Sequence, residues 1–345
     1  MLTLDGSIGE GGGQILRTAL SLSLITGQPF RLQRVRAHRP RPGLQRQHLA
    51  SVEAAARVSG GHVSGATLGS TEVAFEPGPV RPGAYRLAVG TAGSATLVLQ
   101  TILMPLVLAA GPSRLVLEGG THNPWAPPFD FLAQAFLPLV ARLGPRFGSR
   151  LERWGFYPAG GGRFEVEVLP AAEPLRRLEI GPRGALKASR VFGVAAGLPR
   201  AIAARSVETA LGHLRLPQAY VDIREVASDG PGHALLIELL FEHLSAIVTG
   251  FGEKGVRPEE MATAAAEEAR EFLDAGVPVG THLADQLLLP LALAGGSFLT
   301  LAPTAHTSTN LGVVRRFLPV DLRCEPQGHG VWRVSCEAGH LAGRA

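Results

Sequence analysis

Three times along the chain the same order of elements can be read: a strand, a helix, a second strand, a second helix and two closing strands. The repeat is one of pattern, not of letters. It constrains the fold strongly, because each unit carries an apolar face that only its neighbours can cover. In the first unit the spacing predicts a strand over 2–4, a Gly-rich loop and a helix over 14–26 ended by Gly27. A strand over 30–37, a helix over 43–59 and strands over 62–64 and 72–75 follow. The second unit reads as strand 85–89, helix 94–110, strand 114–118, helix 129–143 and strands 150–154 and 163–168. In the third, a strand over 177–180 stands far upstream of its helix, 282–293. Strand 298–302, helix 310–317 and strands 320–324 and 331–336 complete it. The segment 183–277 interrupts this unit and reads as strand, helix, strand, hairpin and helix. The expected fold is therefore α/β of the α+β kind. Its core (1–182 plus 278–345) is three repeated units, and 183–277 is a smaller inserted α+β domain.

Apolar residues make up 46% and charged residues 18% of the chain, a globular balance that excludes a disordered class. The longest apolar runs, 97–110 and 287–294, are too short to span a bilayer, so no membrane partner is expected. The start, MLTLDGSIGEGGG, has no basic segment followed by an apolar one, so a cytoplasmic location is the expectation. Cys324 and Cys336 fall on strands expected to be neighbours; buried free thiols are favoured over a disulfide.

Net charge is +4, and the base is almost all arginine, with Lys187 and Lys254 the only lysines. Residues 31–46 hold Arg31, Arg34, Arg36, Arg39, Arg41 and Arg46 and no acid. Guanidinium grips phosphate through two parallel hydrogen bonds, so this run, with Pro40, Pro42 and Gly43 inside it, points to phosphate or nucleic acid. A solvated basic face is the plainer alternative. If the run holds RNA, removing charge at Arg39 and Arg41 should weaken binding and flatten its salt dependence.

GSIGEGGGQ, residues 6–14, lies between a strand and a helix but is neither a dinucleotide fingerprint nor a phosphate loop of the Walker kind. Its glycines can serve tight turns alone. They also leave backbone N–H groups open to phosphate, with Glu10 available to a divalent metal and Arg17 one helical turn further on. HLADQ, 282–286, opens a helix, where Asp and Gln interact with the helix dipole. Gln100 interrupts an apolar helix and is either a satisfied buried amide or a ligand contact. His306 sits in TAHTSTN, expected to be a loop that ends at an N-cap, Ser308 or Thr309. No cysteine or second histidine stands at zinc spacing from it. An imidazole near a helix N-terminus has its pKa pushed down and stays nucleophilic near neutral pH.

EGGGQILRTALSLSLITGQPF, RPRPGLQRQHL, GTAGSATLVLQT, GGTHNPWAPPFDF, GFYPAGGG, HLADQLLLPLALAGG and HTSTNLGVVRRFLP occur in order from one end to the other. Together they resemble the RNA 3'-terminal phosphate cyclase family, described as three repeated units with a smaller insertion. The resemblance implies that His306 takes AMP and that Gln100, His282, Leu283, Ala284, Asp285 and Gln286 bind ATP. It implies that Glu10 lies near a Mg²⁺ or Mn²⁺ ion. Arg17, Arg36, Arg39, Gln47 and His48 match polar residues lining the site, and Arg41 joins them as an RNA contact through the basic run. His282 departs from the pattern, where an aromatic residue is expected.

The implied activity is ATP-dependent conversion of an RNA 3'-phosphate to a 2',3'-cyclic phosphate, through a histidine–AMP and an RNA–pyrophosphate–adenosine intermediate. The segment 183–277 carries none of the nucleotide motifs and is not expected to be the catalytic centre. Two rival readings remain: a non-catalytic RNA-binding relative acting in ribosome assembly, and an enolpyruvyl transferase on a similar repeated fold. The first is expected to lack the nucleophilic histidine; the second offers no reason for the ordered motifs.

Overall fold

The computed structural model describes residues 1–172, 174–216 and 218–337. The first unit comprises β1 (Leu2–Asp5), α1 (Gln14–Thr26), β2 (Phe30–Gln33), α2 (Arg46–Ser59), β3 (His62–Ser64) and β4 (Glu72–Glu76). The second comprises β5 (Ala84–Ala88), α3 (Ala95–Val107), β6 (Ser113–Gly119), α4 (Phe129–Phe131), a π-helical turn (Leu132–Phe136), α5 (Leu137–Ala141), β7 (Arg146–Arg153) and β8 (Gly162–Leu169). Then come β9 (Leu178–Ile180), β10 (Leu186–Ala196), α6 (Arg200–Leu214), β11 (Tyr220–Glu225), β12 (Gly232–Phe241), β13 (Ser245–Phe251) and α7 (Pro258–Ala275). The chain continues through α8 (Thr281–Ala294), β14 (Gly296–Thr300), α9 (Ala305–Phe317), β15 (Asp321–Gly328) and β16 (Val331–Glu337).

Three sheets share one topology. Their orders are β1-β2-β4-β3, β5-β6-β8-β7 and β9-β14-β16-β15. In each the first pair is parallel, with a helix as crossover, and the other pairs are antiparallel. The fourth sheet, β11-β10-β12-β13, is built from 186–251, with α6 crossing between its parallel pair.

The helices meet in the middle. α1 packs on α3 and on α9, and its buried residues, among them Leu16, Leu20 and Leu24, lie all round it. Its polar groups are placed accordingly. Pro105 inside α3 has no N–H, which frees the carbonyl of Thr101 one turn earlier, and Ser21 Oγ donates to that carbonyl at 2.5 Å. Thr18 Oγ1 donates to Asn310 Oδ1 at 2.7 Å, tying α1 to α9 inside the core.

Several boundaries differ from the expected ones. The strand expected over 30–37 ends at Gln33, because Arg34 and Arg36 both turn through left-handed φ of 54°. The helix expected over 129–143 is broken by the π-helical turn, whose Gln134 donates to Glu238 of β12 at 2.9 Å. Burial raises the Glu238 pKa, and Arg190 holds its other oxygen at 2.9 Å. This polar joint sits where the fourth sheet meets the second unit. The helix expected over 310–317 starts at Ala305, so His306 lies in a first helical turn, not in a loop. Thr304 Oγ1 accepts the N–H of Thr307 at 3.1 Å, and Thr307 Oγ1 accepts the N–H of Thr304 at 3.0 Å. A Thr at the fourth position makes this box, where the usual sequence signal is Glu or Gln.

Cys324 and Cys336 are free; across the β15–β16 ladder Cys324 faces Val334, and Cys336 faces Leu322. Burial pushes the Cys336 thiol up to about 11. No helix among the described residues is long and apolar enough to cross a membrane.

Candidate functional site

The Gly-rich loop lies against the start of α9. Gly9 has φ of +65°, and a side chain there would run into Thr309 Oγ1, so glycine alone lets the loop sit this close. The next residue, Glu10, donates its N–H to that same Oγ1 at 3.1 Å. The Glu10 carboxylate forms an ion pair with Arg39, and its Oε2 lies 3.0 Å from His306 Nδ1. That approach lacks hydrogen-bond alignment, and Oε2 has no hydrogen-bond partner although it is buried.

His306 thus turns Nδ1 toward Glu10, in the first turn of α9. Its side chain is half-exposed. Burial holds the imidazole below its ordinary pKa; Asp285 opposes this, and Arg17 and Arg39 add to it. Asp285 comes from the first turns of α8 and is buried. It accepts from Thr304 Oγ1 at 2.8 Å and from Thr307 Oγ1, so one carboxylate locks the cap of α9 to α8. Burial raises the Asp285 pKa against those two hydrogen bonds.

Arg17 is part-buried behind the loop and lines the cavity. Burial pushes its guanidinium down to about 10. Its one hydrogen-bond partner is Gln14 Oε1 at 3.0 Å, and no carboxylate pairs with it among the described residues. His48 lies alongside. Its Nδ1 accepts the Gln45 N–H at 3.0 Å, and its pKa is pushed down to about 3 by burial and then by Arg17 and Arg36. A Cβ at Gly13 would fall 2.3 Å from His48 Nε2 and 2.8 Å from an Arg17 guanidinium nitrogen. Gly13 is therefore what lets the backbone pass between these two groups.

Arg17, Asp285, Gln286, His282 and His306 line one open cleft. Its walls are apolar: Leu97, Pro127, Pro128, Phe131, and Ile247 and Phe251 from β13. Behind it, past Gln14 and Arg17, a narrow recess ends at Gln100, whose Nε2 is buried without a partner. Leu283 and Ala284 belong to the core and line neither space, as their places on the inward face of α8 dictate. His282 is exposed, with Nε2 3.6 Å from Glu268 of α7. Burial is the main cause raising the Glu268 pKa, and His282 opposes it.

The basic run is not uniformly free. Arg31 pairs with Glu72 at 3.1 Å, Arg34 with Asp5, and Arg39 with Glu10, all acids from outside the run. Arg36 donates to the carbonyls of Arg41 at 2.5 Å and Gly43 at 3.3 Å and so shapes the loop. Arg41 is exposed. Gln47 Oε1 accepts from the Ser94 N–H at 3.4 Å and faces a second hollow, beside the cleft. His122 is buried, with Nδ1 bonded to Thr121 and Nε2 to Asp130 at 2.7 Å.

Sequence reasoning missed Glu268, Trp125 and the β13 residues. Glu268, Ile247, Thr249 and Phe251 all come from 183–277, the segment set apart from the chemistry on motif grounds; only tertiary packing brings them to the cleft. No group of three or more His, Cys, Asp or Glu side chains able to hold a metal occurs among the described residues. A Mg²⁺ ion needs no such cage where one carboxylate and phosphate oxygens suffice, and Glu10 Oε2 is a buried carboxylate oxygen without a hydrogen bond.

A family model described as RNA 3'-terminal phosphate cyclase matches residues 8–324. The chain is 49% identical over 342 residues to the RNA 3'-terminal phosphate cyclase of Pseudomonas fluorescens, with 98% of each chain covered. It is 52% identical over 322 residues to that of Koribacter versatilis, with 93% of this chain and 90% of that one covered. With that of Salmonella typhimurium the figure is 47% over 332 residues, covering 96% and 97%. Among solved structures, the enolpyruvyl transferase NikO from Streptomyces tendae aligns at a TM-score of 0.36 and 12% identity, covering 97% of this chain and 48% of that one. A TM-score of that size carries no statement about fold or function.

Proposed function

The chain belongs to the RNA 3'-terminal phosphate cyclase family and is an enzyme of that kind, and from that premise we propose that it uses ATP to close an RNA 3'-phosphate into a 2',3'-cyclic phosphate with His306 as nucleophile. One observation carries this reading. A neutral imidazole faces a cleft that also holds a part-buried guanidinium, Arg17, which forms no ion pair among the described residues. Such a charge calls for an anionic ligand. Domain roles follow the same reading: 1–182 with 278–345 carries the catalytic groups, and 183–277 supplies one wall for the nucleotide.

His306 attacks the α-phosphorus of ATP through Nε2, because Nδ1 is turned to Glu10; pyrophosphate leaves, and a histidine–AMP phosphoramidate results. The RNA 3'-phosphate then attacks that phosphorus, returning the imidazole and giving an RNA–pyrophosphate–adenosine end. The neighbouring 2'-OH attacks the RNA phosphorus and expels AMP; this step is intramolecular, so positioning supplies much of its rate. Arg17, Arg39 and the N–H groups of the Gly-rich loop meet the charge that moves over the phosphoryl oxygens. The apolar walls of the cleft suit a purine, and Gln100 Nε2, a buried amide nitrogen without a partner, stands in the recess behind it. A divalent cation bound at Glu10 would neutralise phosphate charge. Incubation with ATP, Mg²⁺ and a 3'-phosphorylated oligoribonucleotide tests the reading: the end should become resistant to phosphatase, with one AMP released per end closed. An end that stays phosphatase-sensitive with either Mg²⁺ or Mn²⁺ sinks it.

Two further outcomes are expected. The acid limb of the adenylylation rate should lie below the ordinary histidine range, since the imidazole must be neutral to attack. Arg39→Ala removes a charge that depresses the His306 pKa and frees Glu10 beside it. Both changes raise that pKa, so the limb should move to higher pH. A single-turnover pH profile that does not move would show that His306 does not feel Arg39. Separately, Arg41→Ala should lower the slope of log affinity against log salt for RNA by roughly 0.7, the value for one phosphate contact on a single strand. Arg31→Ala and Arg34→Ala should change it less, because acids already hold those side chains. Equal slopes in all three variants would make Arg41 an ordinary surface charge.

A further inference from the structure

Beside the His306 cleft lies a second hollow, and the two share Leu97, Trp125 and Ala126 as a dividing ridge. Trp125 is 84% exposed and has φ of +60°, a backbone conformation that a bulky side chain rarely takes. Tyr157, from the loop between β7 and β8, lines the same hollow and is 62% exposed. Two large rings left in water at one concave site are a liability unless something covers them. A second feature points to a polar ligand. Asn123 is only 6% exposed and lines this hollow. Its Nδ2 donates to the Ala92 carbonyl, yet its Oδ1 has no partner. A buried acceptor left unpaired costs stability that a ligand donor can restore. Opposite, Gln47 has its Oε1 on the Ser94 N–H.

We propose that this hollow is a base-binding subsite for the substrate RNA: Trp125 stacks on a base within the last two nucleotides, and Asn123 Oδ1 accepts a hydrogen bond from that base's edge. The inference rests on the cyclase reading for its ligand. With the terminal phosphate at Arg17 and His306, an RNA chain that leaves across the Trp125 ridge enters this hollow. Stacking on an aromatic side chain is how single-stranded bases are commonly held, and it tolerates any base, since each has a π-face. Every base also carries at least one N–H donor on its edge, so the Asn123 acceptor does not restrict sequence.

The test is a double-mutant cycle read as binding without ATP. Wild-type protein and Trp125→Ala are titrated with a 3'-phosphorylated oligoribonucleotide and with the same RNA made abasic at the last or the penultimate position. Removing the stacked base from the wild type should weaken binding about tenfold, and in Trp125→Ala the same removal should cost little. Trp125→Phe keeps a ring and should recover most of the coupling, which a merely structural role for the tryptophan would not predict. If Trp125→Ala binds intact RNA as tightly as the wild type, or loses as much affinity on base removal, the subsite is refuted. A rise in KM for ATP without change in RNA affinity also refutes it and gives the platform to the nucleotide. Cyclisation of the intact oligonucleotide by wild type is measured alongside: its absence would overturn the cyclase reading alone, because the binding cycle does not depend on turnover.

Discussion

His306→Ala should lose AMP transfer to the protein by a factor on the order of a thousand or more, down to background, because the variant lacks the nucleophile that forms the phosphoramidate. Wild-type protein with ATP and a divalent cation should gain the mass of one AMP, in a bond that is acid-labile and alkali-stable, as a phosphoramidate is. The variant should gain none. Its fold should be untouched, since the side chain is half-exposed and makes no aligned hydrogen bond. The change in stability should stay within about 0.5 kcal/mol. Neither neighbouring histidine is ready to substitute. His48 is buried with Nδ1 occupied, and His122 is buried with both ring nitrogens bonded. Full adenylylation in His306→Ala would therefore place the nucleophile elsewhere, with the exposed His282 of the same cleft the next histidine to test, and the mechanism would fall with it.

The order of helices and strands was legible in the sequence because each unit buries one face, and burial writes its period into the letters. Thus β12 runs as GHALLIELLF and α1 as QILRTALSLSLIT. Ends of elements were less legible where side chains rather than periodicity set them. The start of α9 is fixed by Thr304 and Thr307 hydroxyls, and two threonines three apart are too common to read as a box. That is why His306 looked like a loop residue. At the site, Gln100 was readable because an apolar helix tolerates few polar residues, and Arg17 because it stands one helical turn beyond the Gly-rich loop. Leu283 and Ala284 came in with their neighbours through the resemblance, but helical spacing turns them inward. The acids that meet the arginine run, Asp5, Glu10 and Glu72, lie on other elements, so a run that looked unopposed is partly neutralised in space. Glu268 and the β13 residues had no local signal at all; their nearness to His306 exists only once the fourth sheet has docked through Gln134 and Glu238.

Arg17→Met should separate function from stability in opposite directions. The guanidinium sits in the floor of the cleft without an acidic partner, and burial has already pulled its pKa down to about 10. A part-buried charge with no ion-pair partner among the described residues opposes folding, and methionine fills similar space without it. The free protein should therefore become more stable, by about 1 kcal/mol, which at this size is a rise of roughly 1–2 °C in Tm. Catalysis should move the other way. Arg17 lines the cleft without an ion pair among the described residues, so its loss removes charge stabilisation from every phosphoryl step, and adenylylation should fall by about a hundredfold or more. Its loss also lifts a charge that depresses the pKa of both His306 and His48, so the acid limb of the remaining activity should shift to higher pH. Thermal unfolding and single-turnover adenylylation, measured on the same preparation, read the two effects. A variant that is less stable and keeps its activity would make Arg17 a structural residue held by Gln14 and would remove the anion floor from the site. A variant that is more stable and nearly inactive, with the shifted pH limb, identifies a charge kept at the expense of stability because the reacting phosphate supplies its partner.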